Sequence, residues 1–123
     1  MAKLAHIDVV TNGPALIRTA ANVLHLVPAA TARTVAATTA ASLLSASMSS
    51  GDYTISGTTT AVLTVSVKTA TAAASSSSGV SREWRFCDAT RVLWTTDETS
   101  GGAIVSGTEY TTPALQYSSA QPV

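Results

Sequence analysis

Residues 79–96 read Gly79-Val80-Ser81-Arg82-Glu83-Trp84-Arg85-Phe86-Cys87-Asp88-Ala89-Thr90-Arg91-Val92-Leu93-Trp94-Thr95-Thr96. Val80, Trp84 and Phe86 alternate with Ser81, Glu83, Arg85 and Cys87, the two-residue period of a strand whose faces meet different surroundings. Asp88-Ala89-Thr90 is a tight connection, and Val92, Leu93 and Trp94 resume an apolar run, so the stretch predicts a β-hairpin. Three of the six aromatic residues, Trp84, Phe86 and Trp94, lie in it. Rings of this size carry much of the area a small core can bury, which makes them anchors before they are ligand platforms.

Working outward, Ser100-Gly101-Gly102 turns the chain into residues 103–112, and Pro113 restricts the next segment to an edge strand or a tail. Upstream, residues 61–71 alternate, with Leu63, Val65, Val67, Thr69 and Thr71 on one face, and predict one half-buried strand. Asp52-Tyr53-Thr54-Ile55-Ser56 alternates too and ends at Gly57. Residues 72–79 (Ala-Ala-Ala-Ser-Ser-Ser-Ser-Gly) predict a flexible loop. Near the start, residues 7–10 predict a short β-branched strand stopped by Thr11-Asn12-Gly13-Pro14, a turn signal. Pro14 then suits the first turn of a helix, where its missing N–H costs nothing. Leu16, Ile17, Ala20, Ala21 and Leu24 recur at helical spacing behind it, and residues 23–27 read as a strand running into Pro28. Ile55-Ser56-Gly57-Thr58 and Val105-Ser106-Gly107-Thr108 echo one another as the same turn chemistry used twice.

Between these lies residues 29–50, low in complexity. Val35, Thr39, Leu43 and Met48 hint at an amphipathic helix, whereas the threonines favour extended structure. An arm that runs over the surface is as much expected as a packed element, and the arm is the reading carried into the fold class. The whole chain then reads as one domain over residues 1–123, with residues 1–50 as N-terminal segment and arm and residues 51–123 as β core. The fold class is mainly β: an antiparallel β-sandwich or barrel-like domain with a short N-terminal helix and an extended arm.

Composition narrows function. Of 123 residues, 22 are Ala, 20 Thr and 16 Ser, while only 26 are Val, Leu, Ile or Phe. Methyl-sized side chains bury little area each, so the core is thin and assembly with neighbours would add to it. Seven basic residues balance seven acidic ones, which argues against sequence-independent nucleic-acid binding and against attraction to an anionic membrane. The single cysteine, Cys87, cannot form an internal bridge. Asp8 interrupts the apolar run a secretory signal needs, residues 29–48 carry Arg33 and lack the bulk of a membrane span, and neither asparagine begins a glycosylation sequon. A reducing cytoplasm suits all of this.

Few groups are suited to catalysis. His6 and His25 are the only histidines and stand in no metal-binding spacing, no G-x-S-x-G elbow or phosphate-binding glycine loop occurs, and Asp97 and Glu98, adjacent on a strand, point to opposite faces. No enzyme, catalytic residue, metal ligand or cofactor is expected. Half the charges fall between residues 82 and 98: Arg82, Glu83, Arg85, Asp88, Arg91, Asp97 and Glu98. They read first as a solvated hairpin face whose opposite signs pair across strands, and second as a contact surface that docks a partner. Cys87, on the face opposite Trp84 and Phe86, reads as inert and semi-buried.

The run Trp84-Arg85-Phe86-Cys87-Asp88-Ala89-Thr90-Arg91-Val92-Leu93-Trp94 resembles a hairpin of small virion proteins of tailed bacteriophages, in which an aromatic-Arg-aromatic strand leads through a short Asp-containing turn to an apolar strand. Ser100-Gly101-Gly102-Ala103-Ile104-Val105 and Ser119-Ala120-Gln121-Pro122-Val123 are similar to later strands of that group. The resemblance covers about the last 45 residues and extends upstream only in composition. It implies a structural protein of the capsid or tail with no catalytic centre: a capsid decoration (cement) protein that clamps neighbouring major capsid subunits. Alternatives are a tail or head-completion ring protein, or a receptor- or carbohydrate-binding module using Trp94, Tyr110 or Tyr117. The implied partner is the major capsid protein or another virion protein, with a homo-oligomer, a trimer first, on the capsid surface after assembly in the host cytoplasm. No nucleic-acid or membrane partner is implied. The expected contacts are Leu4, Ile7 and Val9 in an extended start, the arm, and Arg82, Arg85 and Arg91.

Overall fold

The computed structural model describes residues 7–57, 60–99 and 101–119. In chain order these form helix α1 (Ile7–Ala20), strand β1 (Val23–Pro28), helix α2 (Val35–Ala41), β2 (Leu44–Ser47), a 3-10 turn (Ser50–Asp52), β3 (Tyr53–Ser56), β4 (Ala61–Val65), β5 (Thr69–Thr71), β6 (Arg82–Cys87), β7 (Val92–Glu98), β8 (Glu109–Thr111) and β9 (Gln116–Ser119). The described chain is mainly β. The largest sheet has the order β2-β1-β6-β7, a second has β3-β4-β9, and β5 pairs with β8. Every pairing is antiparallel, and no barrel closes among the described residues.

The hairpin stands where the sequence places it. Arg82 lies opposite Glu98, Trp84 opposite Thr96 and Phe86 opposite Trp94, with a register shift next to Cys87. Asp88 sets the connection, its carboxylate accepting from the backbone N–H of Thr90 (2.8 Å) and of Arg91 (2.6 Å), an Asx-type turn. Trp84 and Phe86 share a core with Leu24 and Leu26 of β1, Leu44 and Ala46 of β2, and Tyr53, Leu63 and Val65 of the second sheet. Rings from both sheets meet there: Phe86 stacks on Trp94 at 4.7 Å and meets Tyr53 edge-on at 6.2 Å. Pro113 does precede an edge strand, since β9 pairs only with β4 in its sheet.

Three expectations are corrected. Residues 7–10 are not a strand; α1 runs through the Asn-Gly-Pro signal, with Pro14 inside it. A proline there removes one backbone hydrogen bond, and packing overrides the local cost: Pro14, Ile17 and Ala21 are buried in succession along the helix and its end. Residues 61–71 are not one strand. Ala61, Leu63 and Val65 are buried, then the buried position shifts phase to Ala70, and Val67 is 56% exposed. A two-residue period cannot change phase without a break, so the chain leaves the second sheet at Val65 and pairs with β8 instead. Lys68 and Thr112 hold that crossing: the Lys68 N–H donates to Thr112 Oγ1 (2.8 Å) and the Thr112 N–H to the Lys68 carbonyl (2.7 Å).

The third correction concerns residues 29–50, which are no loose arm. Thr34 caps α2, its hydroxyl accepting from the Ala37 N–H at 3.1 Å, as a helix start requires. Thr38 is fully buried, and β2 alternates buried Leu44 and Ala46 with exposed Ser45 and Ser47. Because β1 lies between β2 and β6, residues 23–47 belong to the same sheet as the hairpin, and no boundary falls at residue 50.

Candidate functional site

Strand β6 is buried along its whole length, on both faces. Its even residues, Arg82, Trp84 and Phe86, face the apolar core; its odd residues, Glu83, Arg85 and Cys87, face the segment that carries α2. An interior strand flanked on both faces needs every charge on it satisfied, since an unpaired buried charge costs several kcal/mol. Each arginine is.

Arg85, fully buried, donates from Nε to Glu83 (2.7 Å), from Nη1 to the Ala32 carbonyl and to Thr38 Oγ1 (2.8 Å each), and from Nη2 to the Thr31 carbonyl (2.6 Å). Its planar fork therefore takes up the backbone groups of residues 31 and 32 that no strand or helix satisfies. Glu83 also receives Arg33, whose exposed guanidinium reaches it at 3.2 Å from the surface. Burial alone would raise the Glu83 pKa, but hydrogen bonds and charge from Arg33 and Arg85 outweigh it and hold the carboxyl below its ordinary value.

On the other face Arg82 performs the same task for different loops. It pairs with Glu98 (3.1 Å), donates to Ser76 Oγ (3.2 Å) and the Ser77 carbonyl (3.3 Å), and also to the Gly102 carbonyl. The serine-rich loop is tied down further where Ser76 and Ile104 exchange backbone hydrogen bonds. One strand thus uses a guanidinium on each face to fix the two low-complexity stretches of the chain.

His25 sits opposite Arg85 in the β1–β6 register. Its Nδ1 lies 2.8 Å from Ser42 Oγ, and that hydroxyl donates its own proton to the Leu44 carbonyl; Nδ1 is accordingly the donor. Burial lowers the His25 pKa. Cys87 is a free thiol, fully buried, and burial pushes its pKa up, which leaves it a poor nucleophile.

These positions decide the fate of the predicted contacts. Arg82 and Arg85 are not at a surface: they are 2% and 0% exposed, because the chain's own loops occupy their donors. The predicted cross-strand pairing does occur at Arg82–Glu98, though inside rather than in solvent. Arg91 stays exposed, paired with Asp88 at 2.7 Å. Ile7 and Val9 fall within α1 rather than in an extended start, and Leu4 lies outside the described residues. Trp94, Tyr110 and Tyr117 are half-buried against the core; Trp94 has one ring face on Phe86 and meets Tyr117 at 5.5 Å, so that face is closed to a sugar ring. Asp97 and Glu98 diverge as expected, Glu98 toward Arg82 and Asp97 toward solvent. Among the described residues no three His, Cys, Asp or Glu gather as metal ligands, and no helix is long and apolar enough to cross a membrane.

What composition could not reveal is a cleft of about 520 Å³ between the far half of β7 and residues 110–115. Its floor is core: Leu26, Leu44, Trp84 and Ile104. Its walls are Thr96 and Glu98 on one side and Tyr110, Ala114 and Leu115 on the other, with Asp97 at the rim. Strand β7, which lines one side of it, is an edge of its sheet among the described residues. The opening lies over the face of the largest sheet, along the cross-strand row from Leu44 through Leu26 and Trp84 to Thr96, against the chain crossing from β8 to β9, a junction of residues far apart in sequence that no local pattern announces. Compared with protein-family models, curated proteins and solved structures, the chain gives no match.

Proposed function

We propose that the protein is a non-catalytic structural component of a tailed-bacteriophage virion, acting as a decoration protein that binds and stabilises neighbouring major capsid subunits. In this reading its sheets make a β-sandwich, the protein assembles as a homo-oligomer, a trimer first, and it resides on the capsid surface. Support comes from the hairpin resemblance and from how the ionisable groups are used. Arg82, Arg85, Glu83, Glu98 and Arg33 are engaged in fixing the chain's own loops, which suits a rigid clamp better than a reaction centre. The observation that carries the reading is the edge of β7, which pairs on one side alone among the described residues, a form of surface that serves strand addition.

The test is stoichiometry in purified particles, by gel density or an electron-microscopy map. Decoration predicts copies in fixed proportion to the major capsid protein. A single ring's worth of copies assigns the protein to the tail or head-completion ring instead, and absence from the particle overturns the virion reading.

A further inference from the structure

We infer that the cleft over the largest sheet is a binding site for a small, uncharged molecule with an apolar body and one amide group, whose carbonyl accepts from the Trp84 indole N–H and whose N–H meets the Thr96 hydroxyl. No capsid or other protein is needed for it. The floor is a row of side chains, Leu44, Leu26, Trp84 and Thr96, lying opposite one another across four strands. The volume of about 520 Å³ falls within the roughly 300–1,000 Å³ of sites that enclose small ligands. Because the row crosses the strands, an extended peptide laid along it would find no free backbone groups, β1 and β6 each being paired on both sides. A compact molecule suits it instead.

What selects the ligand is the polar chemistry left over in an apolar floor. Trp84 is only 5% exposed, and its indole N–H meets no acceptor among the described residues. No side-chain nitrogen or oxygen among those residues is both fully buried and unpaired. The N–H is therefore open, and Trp84 gives the cleft what little surface it keeps. An indole N–H can only donate, and a donor in apolar surroundings is matched by an uncharged carbonyl oxygen. Thr96, directly opposite on β7, adds a half-buried hydroxyl with no partner among the described residues, which can accept from an amide N–H. Other lining groups are engaged or turned away. The Tyr110 hydroxyl accepts from the Val105 N–H at 2.8 Å, Glu98 is balanced by Arg82 at 3.1 Å, and Asp97, opposite Glu83, stands on the other face. No lone charge among the described residues faces the floor, so a charged ligand would lose water without gaining a counter-ion.

The probe is acetanilide, titrated into the isotope-labelled full chain and followed by NMR of the indole N–H groups. The two tryptophans give two such signals, told apart with Trp94→Phe. Ethylbenzene, which lacks the amide, and phenylacetate, which carries a charge, are the comparisons. The site predicts a saturable shift of the Trp84 signal at millimolar acetanilide, while the signal of Trp94, which does not line the cleft, stays in place. Ethylbenzene should bind about threefold to tenfold more weakly for want of the hydrogen bonds, and phenylacetate at least about tenfold more weakly. Thr96→Val, close in shape, should weaken acetanilide about threefold and leave ethylbenzene unchanged. Equal affinity for acetanilide and ethylbenzene overturns the proposal, as does phenylacetate binding as tightly as acetanilide. So does a Trp84 signal unmoved at about 10 mM acetanilide. A free chain that sediments as a dimer with the Trp84 N–H already shielded from solvent exchange overturns it too, since a second copy would then fill the cleft.

Discussion

Arg85 makes contacts to Glu83, Thr38 and two backbone carbonyls from a fully buried position. Removing one partner of such a set leaves the others desolvated and unpaired, which costs about 3–5 kcal/mol. Arg85→Ala is therefore expected to lower unfolding stability by about that amount in urea, and Arg33→Ala, whose side chain is 65% exposed, by far less, since solvent screens an exposed pair. Equal losses would show that the buried fork is not what holds residues 31–38. His25 makes a pH prediction. Its folded pKa lies below the ordinary 6.5 because burial disfavours the charged ring, and it faces the Arg85 cation across the strands, with Ser45 opposite on β2 and Ser42 at Nδ1. Above about pH 6.5 the ring is neutral both folded and unfolded. Below that the unfolded chain takes up a proton the folded one resists, so stability falls. Glu83 and Asp52, both held below their ordinary values, add a second loss as pH falls through their lowered pKa values. In a urea midpoint series against pH, His25→Gln should abolish the upper limb and leave the acid limb; an unchanged upper limb would contradict the assignment.

At the scale of elements, legibility tracks sequence separation. The β6–β7 hairpin is readable because its alternation, turn and partner lie within seventeen residues. Strand β1, stopped by Pro28, and the edge position after Pro113 are readable for the same reason. Helix α1 is hidden because Asn12-Gly13-Pro14 is a local stop signal, and what overrides it is burial of Pro14 and Ile17 as the helix packs on β3, β4 and β9, far along the chain. Residues 61–71 look like one strand because Val67 and Thr69 keep the period, while the phase of burial shifts to Ala70 through pairing with Tyr110. Segment 29–50 is the least legible, since its anchor is not in its own sequence: Arg85 lies 47 positions from Thr38. The cleft has no sequence signal for the same reason. One turn is legible for a testable cause. Gly57 has φ +107°, and a Cβ there would stand 1.8 Å from the Thr60 carbonyl oxygen, while Gly107, its echo, has φ +86° and open space around it. Gly57→Ala should thus cost well over about 1 kcal/mol, and Gly107→Ala only about the 1 kcal/mol of left-handed strain. Thermal unfolding of the two variants side by side checks the order.

For the whole molecule, the abundance of Ala, Thr and Ser is compatible with a firm fold because two buried arginines on one strand do what bulky side chains do elsewhere. They tie the Thr/Ala-rich and Ser-rich stretches to opposite faces of the largest sheet, of which β7 is an edge among the described residues. The decisive measurement is residue-resolved amide hydrogen exchange on the free chain. Exchange should be slow through β1, β6 and α2, with the α2 amides protected well above the level of a detached seven-residue helix, and fast at the outward-facing amides of β7. Free exchange across residues 35–47, alongside protected β1 and β6, would restore the loose arm and show that the buried arginines do not hold it.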